Sequence, residues 1–179
     1  MAGVGVLAEG PLHAGLKGCY VRAGDHEEAP LDGYVVDILR NDLVIEIQTG
    51  SLAKVARKLA ELVERHRARL VHPVITERVI VRVDAQGAVL SRRRSPRRGG
   101  LEDVFAELVA CPTVLAHPSF SLDVVSVRTE EVRRFEAYRA WRRKGWVVTE
   151  RRLLDVVGAV ALDAPDDLRG LVPDRTPVP

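Results

Sequence analysis

Two short runs rich in β-branched residues, YVVDIL (residues 34–39) and LVIEIQ (residues 43–48), flank Arg40-Asn41-Asp42, and each carries one acid, Asp37 and Glu46. Their composition predicts strands, and Asn41-Asp42 suits a two-residue hairpin turn. With that turn, Ile38 lies opposite Ile45 and Asp37 opposite Glu46. Side-chain alternation then puts Tyr34, Val36, Ile38, Leu43, Ile45 and Ile47 on one apolar face. Val35, Asp37, Leu39, Val44, Glu46 and Gln48 share the other. Like charges opposed across strands repel by roughly 0.2–1 kcal/mol, and apolar neighbours desolvate them further. Something must compensate: a divalent cation such as Mg2+, which takes one or two protein carboxylates and completes its shell with water and phosphate oxygens, or a basic side chain from elsewhere in the chain.

The surrounding stretch, LDGYVVDILRNDLVIEIQTGS (residues 31–51), resembles the core motif of the PD-(D/E)XK nuclease superfamily, in particular its RecB-like branch. Gly33, Asp37, Glu46, Thr49 and Gly50 fall in the positions of that motif, and the resemblance covers roughly residues 10–83. It implies an α/β fold with a restriction-endonuclease-like α-β-β-β-α-β core and a mixed sheet. The implied activity is metal-dependent hydrolysis of DNA phosphodiester bonds, with Asp37 and Glu46 holding Mg2+ or Mn2+. Gln48 departs from the pattern, since the family usually has lysine there. The resemblance then implies that Gln48 positions the attacking water and that Lys54 or Lys58, on the following helix, supplies the charge. His13, Glu27 and Glu28 are candidates for the additional ligand that the family often carries near its first helix. The alternative is a catalytically silent nuclease fold that binds nucleic acid or a partner protein.

Elsewhere the pattern predicts a short helix in residues 11–23, a polar loop over 24–33, and an amphipathic helix from Leu52 to Arg65 capped by Ser51. Two strands, RLVHPVI and RVIVRVD, follow, and a turn at Ala85–Gly87 leads into AVLSRR. Arg92, Arg93, Arg94, Arg97 and Arg98 place five arginines in seven residues; they read as an exposed basic loop suited to phosphate backbones. A second basic cluster runs from Arg133 to Arg152. Beyond the loop, a helix over Leu101–Val109, a strand over Ser121–Val127 and a helix from Thr129 through Val132, Phe135 and Tyr138 to Gly145 are expected. Trp141 and Trp146, beside Arg142, Arg143 and Lys144, suit either core anchoring or base stacking. This organisation reads as a core over 1–90, a basic loop over 91–100, an α/β extension over 101–172 and a tail over 173–179.

The net charge of the 179 residues is only +2, so any nucleic-acid contact must come from local clusters. The two cysteines, Cys19 and Cys111, form no scaffold, and the chain shows neither a signal-peptide pattern nor a membrane span. A cytoplasmic protein is expected, with a homodimer or larger complex left open. His66, His72 and His117 lack zinc spacing, and no phosphate-binding loop or serine-hydrolase motif is present.

Overall fold

A computed structural model describes residues 10–136 and 145–171. Helix α1 (Pro11–Tyr20) starts with proline in its first turn, where the missing N–H is not needed. Strands β1 (His26–Leu31), β2 (Tyr34–Arg40) and β3 (Leu43–Ile47) follow, then a 3-10 turn (Leu52–Lys54), helix α2 (Ala56–Val63) and strand β4 (Arg67–Val83). The first half therefore runs α-β-β-β-α-β. Strands β1, β2 and β3 are antiparallel neighbours, and the α2 crossover makes β4 parallel to β3. The segment expected to be a polar loop contains β1. That strand is the edge of the sheet, where Pro30 removes no ladder bond that a neighbour needs.

The two strands predicted after α2 are one continuous 17-residue strand, β4, with an irregularity between Ile75 and Glu77. Its length organises the rest. On one edge, β3 pairs with residues 67–71 and β5 (Val89–Arg94) pairs antiparallel with residues 79–83. On the other edge, β6 (Phe120–Phe135) runs parallel to β4 along almost its whole length, and β7 (Trp146–Leu162) lies antiparallel outside β6. One mixed, open seven-stranded sheet results. The expected helix from Thr129 is instead the second half of β6. Val132 and Phe135 do fall at helical spacing, but pairing with β4 and β7 overrides that local signal; Tyr138 and Trp141 lie outside the described residues. Arg92, Arg93 and Arg94 are likewise strand residues, because the outer half of β4 takes β5 as its ladder partner. The helix expected over Leu101–Val109 is a 3-10 turn (Leu101–Val104) and a single turn, α3 (Phe105–Leu108), with α4 (Pro112–Leu115) beyond.

Apolar residues fill both sides of the sheet. Val44, Leu70, Leu122 and Val124 pack against Leu59, Leu62 and Val63 of α2 and against Val104, Leu108 and Val114. Ile38, Ile45, Ile47, Val71, Val125 and Val127 pack against Leu12 and Leu16 of α1. Leu16 is fully buried. Leu16→Ala is expected to cost about 2–5 kcal/mol in urea unfolding, as large-to-small changes at well-packed sites do. Among the described residues no helix is long and apolar enough to cross a membrane.

Candidate functional site

The hairpin has the two-residue turn, with Arg40 opposite Leu43, Leu39 opposite Val44 and Ile38 opposite Ile45. The ladder stops at that last row. Beyond it, side chains replace backbone partners: the Ile47 N–H donates to Asp37 Oδ2 at 2.7 Å, and the Asp37 N–H donates to Glu46 Oε1 at 3.3 Å. Asp37 also interrupts the β1–β2 ladder, since rows 27–38 and 29–36 are paired while Glu28, between them, has φ 48°. This break corrects the single apolar face expected for the hairpin. Tyr34 and Val36 join the α2 layer, whereas Ile38, Leu43, Ile45 and Ile47 join the α1 layer. The strand changes face at Asp37, so strict alternation fails across that residue.

A helix reaches the acids from each side of the sheet. His13 Nε2 of α1 lies 3.3 Å from Asp37 Oδ1, and Lys58 Nζ of α2 lies 2.5 Å from Glu46 Oε1. Lys58 also donates to the Val35 carbonyl at 2.6 Å. Nearby, Lys17 pairs with Glu28 at 2.6 Å. The two carboxyls are driven apart electrostatically. Burial, reinforced by the charge of Asp37 and only partly offset by Lys58, pushes Glu46 up to about 7. Burial also acts to raise Asp37, but His13, the Ile47 N–H and Lys58 outweigh it and hold that carboxyl below its ordinary value.

Of the two lysines expected as substitutes, Lys54 is exposed on the 3-10 turn, and Lys58 is the one that meets the acids. In one continuous helix the two would share a face. The backbone breaks at Val55 (φ −110°, ψ −6°), which takes Lys54 off that face. Ser51 makes no side-chain cap; the Leu52 N–H instead donates to Glu107 Oε2 at 3.0 Å. Gln48 is held at both ends: its Nε2 donates to the Ser51 carbonyl at 2.7 Å, and its own carbonyl accepts from His72 Nδ1 at 2.8 Å. Glu27 is exposed on β1.

The chemistry of the donors suits a hard cation. Among the described residues the hydrogen bond and the ion pair to Glu46 both fall on Oε1, so that Oε2 could serve as a ligand oxygen, and the Asp37 carboxyl beside it is held below its ordinary value. Among the described residues no three His, Cys, Asp or Glu side chains gather to enclose an ion. A cation here would therefore depend on water and substrate oxygens for most of its shell, as Mg2+ commonly does.

Residues 10–163 match a family described as a domain of unknown function, DUF8091. The chain belongs to the DUF8091 family. The match begins at the residue before α1 and ends just after β7, so the DUF8091 region contains the acid hairpin and the whole sheet. A relative, an uncharacterized protein of Treponema pallidum (strain Nichols), is 27% identical over 154 residues, which is 86% of this chain and 61% of the relative. The chain thus spans about three fifths of that relative's length. No solved structure matches it.

Proposed function

We propose that this DUF8091 chain is a metal-dependent deoxyribonuclease of the PD-(D/E)XK kind, built on a restriction-endonuclease-like core. The observation that carries the reading is the meeting of Asp37 and Glu46 where the hairpin ladder parts, with Lys58 of the crossover helix against Glu46. The α-β-β-β-α-β order supports it, since it brings a helix to each side of the acid pair. A bound Mg2+ or Mn2+ would supply Lewis-acid polarisation of a phosphoryl oxygen and a lowered pKa for a ligand water. Asp37 and Glu46 would hold that ion. His13 orients the Asp37 carboxylate, and Lys58 places a positive charge beside the reacting phosphate, the role usually taken by a lysine where Gln48 stands. Gln48, tied to Ser51 and His72, shapes the end of β3.

The same Lys58 contact supports a second reading, a catalytically silent fold in which lysine permanently takes the cation's place. Incubation with labelled single-stranded, duplex and branched DNA, in Mg2+ or Mn2+ and in EDTA, separates the two. Cleavage is expected only with metal and should be lost in Asp37→Ala. Cleavage that persists in that variant removes the site assignment. A folded wild-type protein that binds DNA without cutting it under any metal supports the silent reading.

A further inference from the structure

Past the end of β3, strand β4 continues into a four-stranded ribbon with β5, β6 and β7, and its charge is unevenly divided between two faces. Directly opposed residues share a face. The row Arg93, Ile80, Glu131, Arg151 crosses all four strands. Arg78 and Arg82 lie two residues either side of Ile80, and Arg133 lies two beyond Glu131, so all three fall on the same face. Five arginines therefore share this face of these rows with one acid, Glu131. That glutamate is only 1% exposed. Arg133, Arg151 and Arg78 surround it at 2.5, 3.0 and 3.5 Å. The opposite face is close to balanced, with Arg92, Arg94 and Arg152 beside Glu130 and Glu150. The five-arginine run in the sequence is thus divided: Arg93 joins the basic face, Arg92 and Arg94 the other, and Arg98 pairs with Glu77 at 2.9 Å.

We propose that this arginine face, Arg78, Arg133 and Arg151 gathered around Glu131 with Arg93 in the same row on β5, seats the phosphate backbone of duplex DNA as it leaves the Asp37–Glu46 centre. The proposal rests on the nuclease reading for its substrate, but the face would bind DNA whether or not the centre cuts. Glu131 acts as a positioning residue: it cancels one charge and holds three guanidiniums in a fixed array. Guanidiniums preorganised in this way match phosphate oxygens bidentately. Between the face and the centre lies a cavity of about 240 Å3, lined by His72, Arg78, Arg97, Asp103 and Glu107. It lies along β4 between β3 and β5, where the Gly99 and Ser95 N–H groups donate to the Ile75 and Arg78 carbonyls, and Arg78 belongs both to it and to the Glu131 cluster. Along the strands Glu46, on the α2 side, is level with Leu70, and Glu131, on the α1 side with Val127, is level with Ile80; the α1 side is also where His13 meets Asp37. Ten residues of strand, less one irregularity, span about 30 Å at roughly 3.3 Å each, or about nine base pairs of B-DNA. Single strands bind through open aromatic platforms. Among the described residues Trp146 is partly covered by the Arg82 guanidinium, 4.5 Å from its ring, and by the edge of Phe135. Guanidiniums rather than rings make up most of this face, which suits a duplex backbone.

Fluorescence anisotropy in EDTA, using Asp37→Asn protein so that no cleavage occurs, tests this with labelled duplexes from about 6 to about 24 base pairs. Affinity should rise with length up to about nine base pairs beyond the centre. The slope of log K against log salt should fall by about 0.9 in Arg93→Gln and about 1.8 in Arg93→Gln/Arg151→Gln, as expected for lost phosphate contacts. Arg169→Gln, at an exposed arginine on the C-terminal 3-10 helix, should leave the slope unchanged. The single Arg93 variant leaves every Glu131 ion pair intact, so its slope is informative even if the double variant folds poorly. An unchanged slope in Arg93→Gln, or equal loss in Arg169→Gln, overturns the proposal. So does duplex RNA or single-stranded DNA binding as tightly with the same loss. Failure of the nuclease reading would show as absent cleavage with these slopes intact.

Discussion

Glu46→Gln is expected to lower metal-dependent DNA cleavage by about a thousandfold while removing a pH dependence from the stability of the metal-free protein. The cleavage loss follows from the ligand set. If Asp37 and Glu46 are, among the described residues, the two carboxylates that hold the proposed ion, deleting one charge would remove half of that hold, and a loss of about 4 kcal/mol of transition-state stabilisation corresponds to about a thousandfold. The stability effect follows from burial. The Glu46 carboxyl is raised from an ordinary 4.5 to about 7 in the fold. A group whose folded pKa is raised contributes stability that is fully present below its unfolded value and is lost as pH climbs through the folded one. Between pH 4.5 and 7 the wild-type protein in EDTA should therefore lose stability on the order of 3 kcal/mol from this group. Glutamine cannot titrate, and its amide oxygen can still accept the Asp37 N–H. Denaturant unfolding of both proteins across that window is the measurement. Parallel pH profiles would mean that Glu46 is not the group responsible.

Much of this was legible in the residues because local chemistry decided it. The β-branched runs, the Asn41-Asp42 turn and the resulting register of Ile38 on Ile45 are short-range consequences of residue type. The same holds for α1 and α2, where apolar spacing coincides with burial at Leu12, Leu16, Leu59 and Leu62. What escaped is long-range. The face change at Asp37 depends on its carboxylate replacing a backbone acceptor for Ile47, which alternation alone does not show. The choice of Lys58 over Lys54 depends on a helix break at Val55, in a segment whose apolar period is unbroken. The second half of β6 looked helical because Val132 and Phe135 repeat at three; only a 17-residue β4 needing a partner makes it a strand. Nothing local in the sequence marks Glu131, which sits in an arginine-rich stretch. Its role emerges when β4, β6 and β7 bring Arg78, Arg133 and Arg151 to it from separate parts of the chain.

Lys58→Met is the second substitution expected to act strongly, and it separates a lysine that assists the reaction from one that only neutralises Glu46. The methionine keeps the stem's packing and removes the charge. If neutralisation is its whole role, the variant leaves a buried carboxyl without its partner, and above pH 7, where wild-type Glu46 is ionised, breaking such a pair costs about 3–5 kcal/mol, less where the carboxyl can take up a proton. That cost should largely vanish in a Glu46→Gln background, because the charge needing a partner has gone. Added Mg2+ should also restore much of the stability by taking the lysine's place, and cleavage should then survive. If Lys58 acts on the reacting phosphate or the attacking water, the outcome differs in kind. Cleavage should fall about a hundredfold even at saturating metal and in protein shown to be folded, a size typical of one positioned charge or proton-transfer group. Lys58→Arg should recover stability, since guanidinium also pairs with carboxylate, yet recover little rate, because its charge is spread over a planar group with a different reach. Urea unfolding with and without Mg2+, beside single-turnover cleavage for the three proteins, reads both effects. The contact at 2.5 Å between Lys58 and Glu46 is common to both roles; the split between stability and rate is what assigns one.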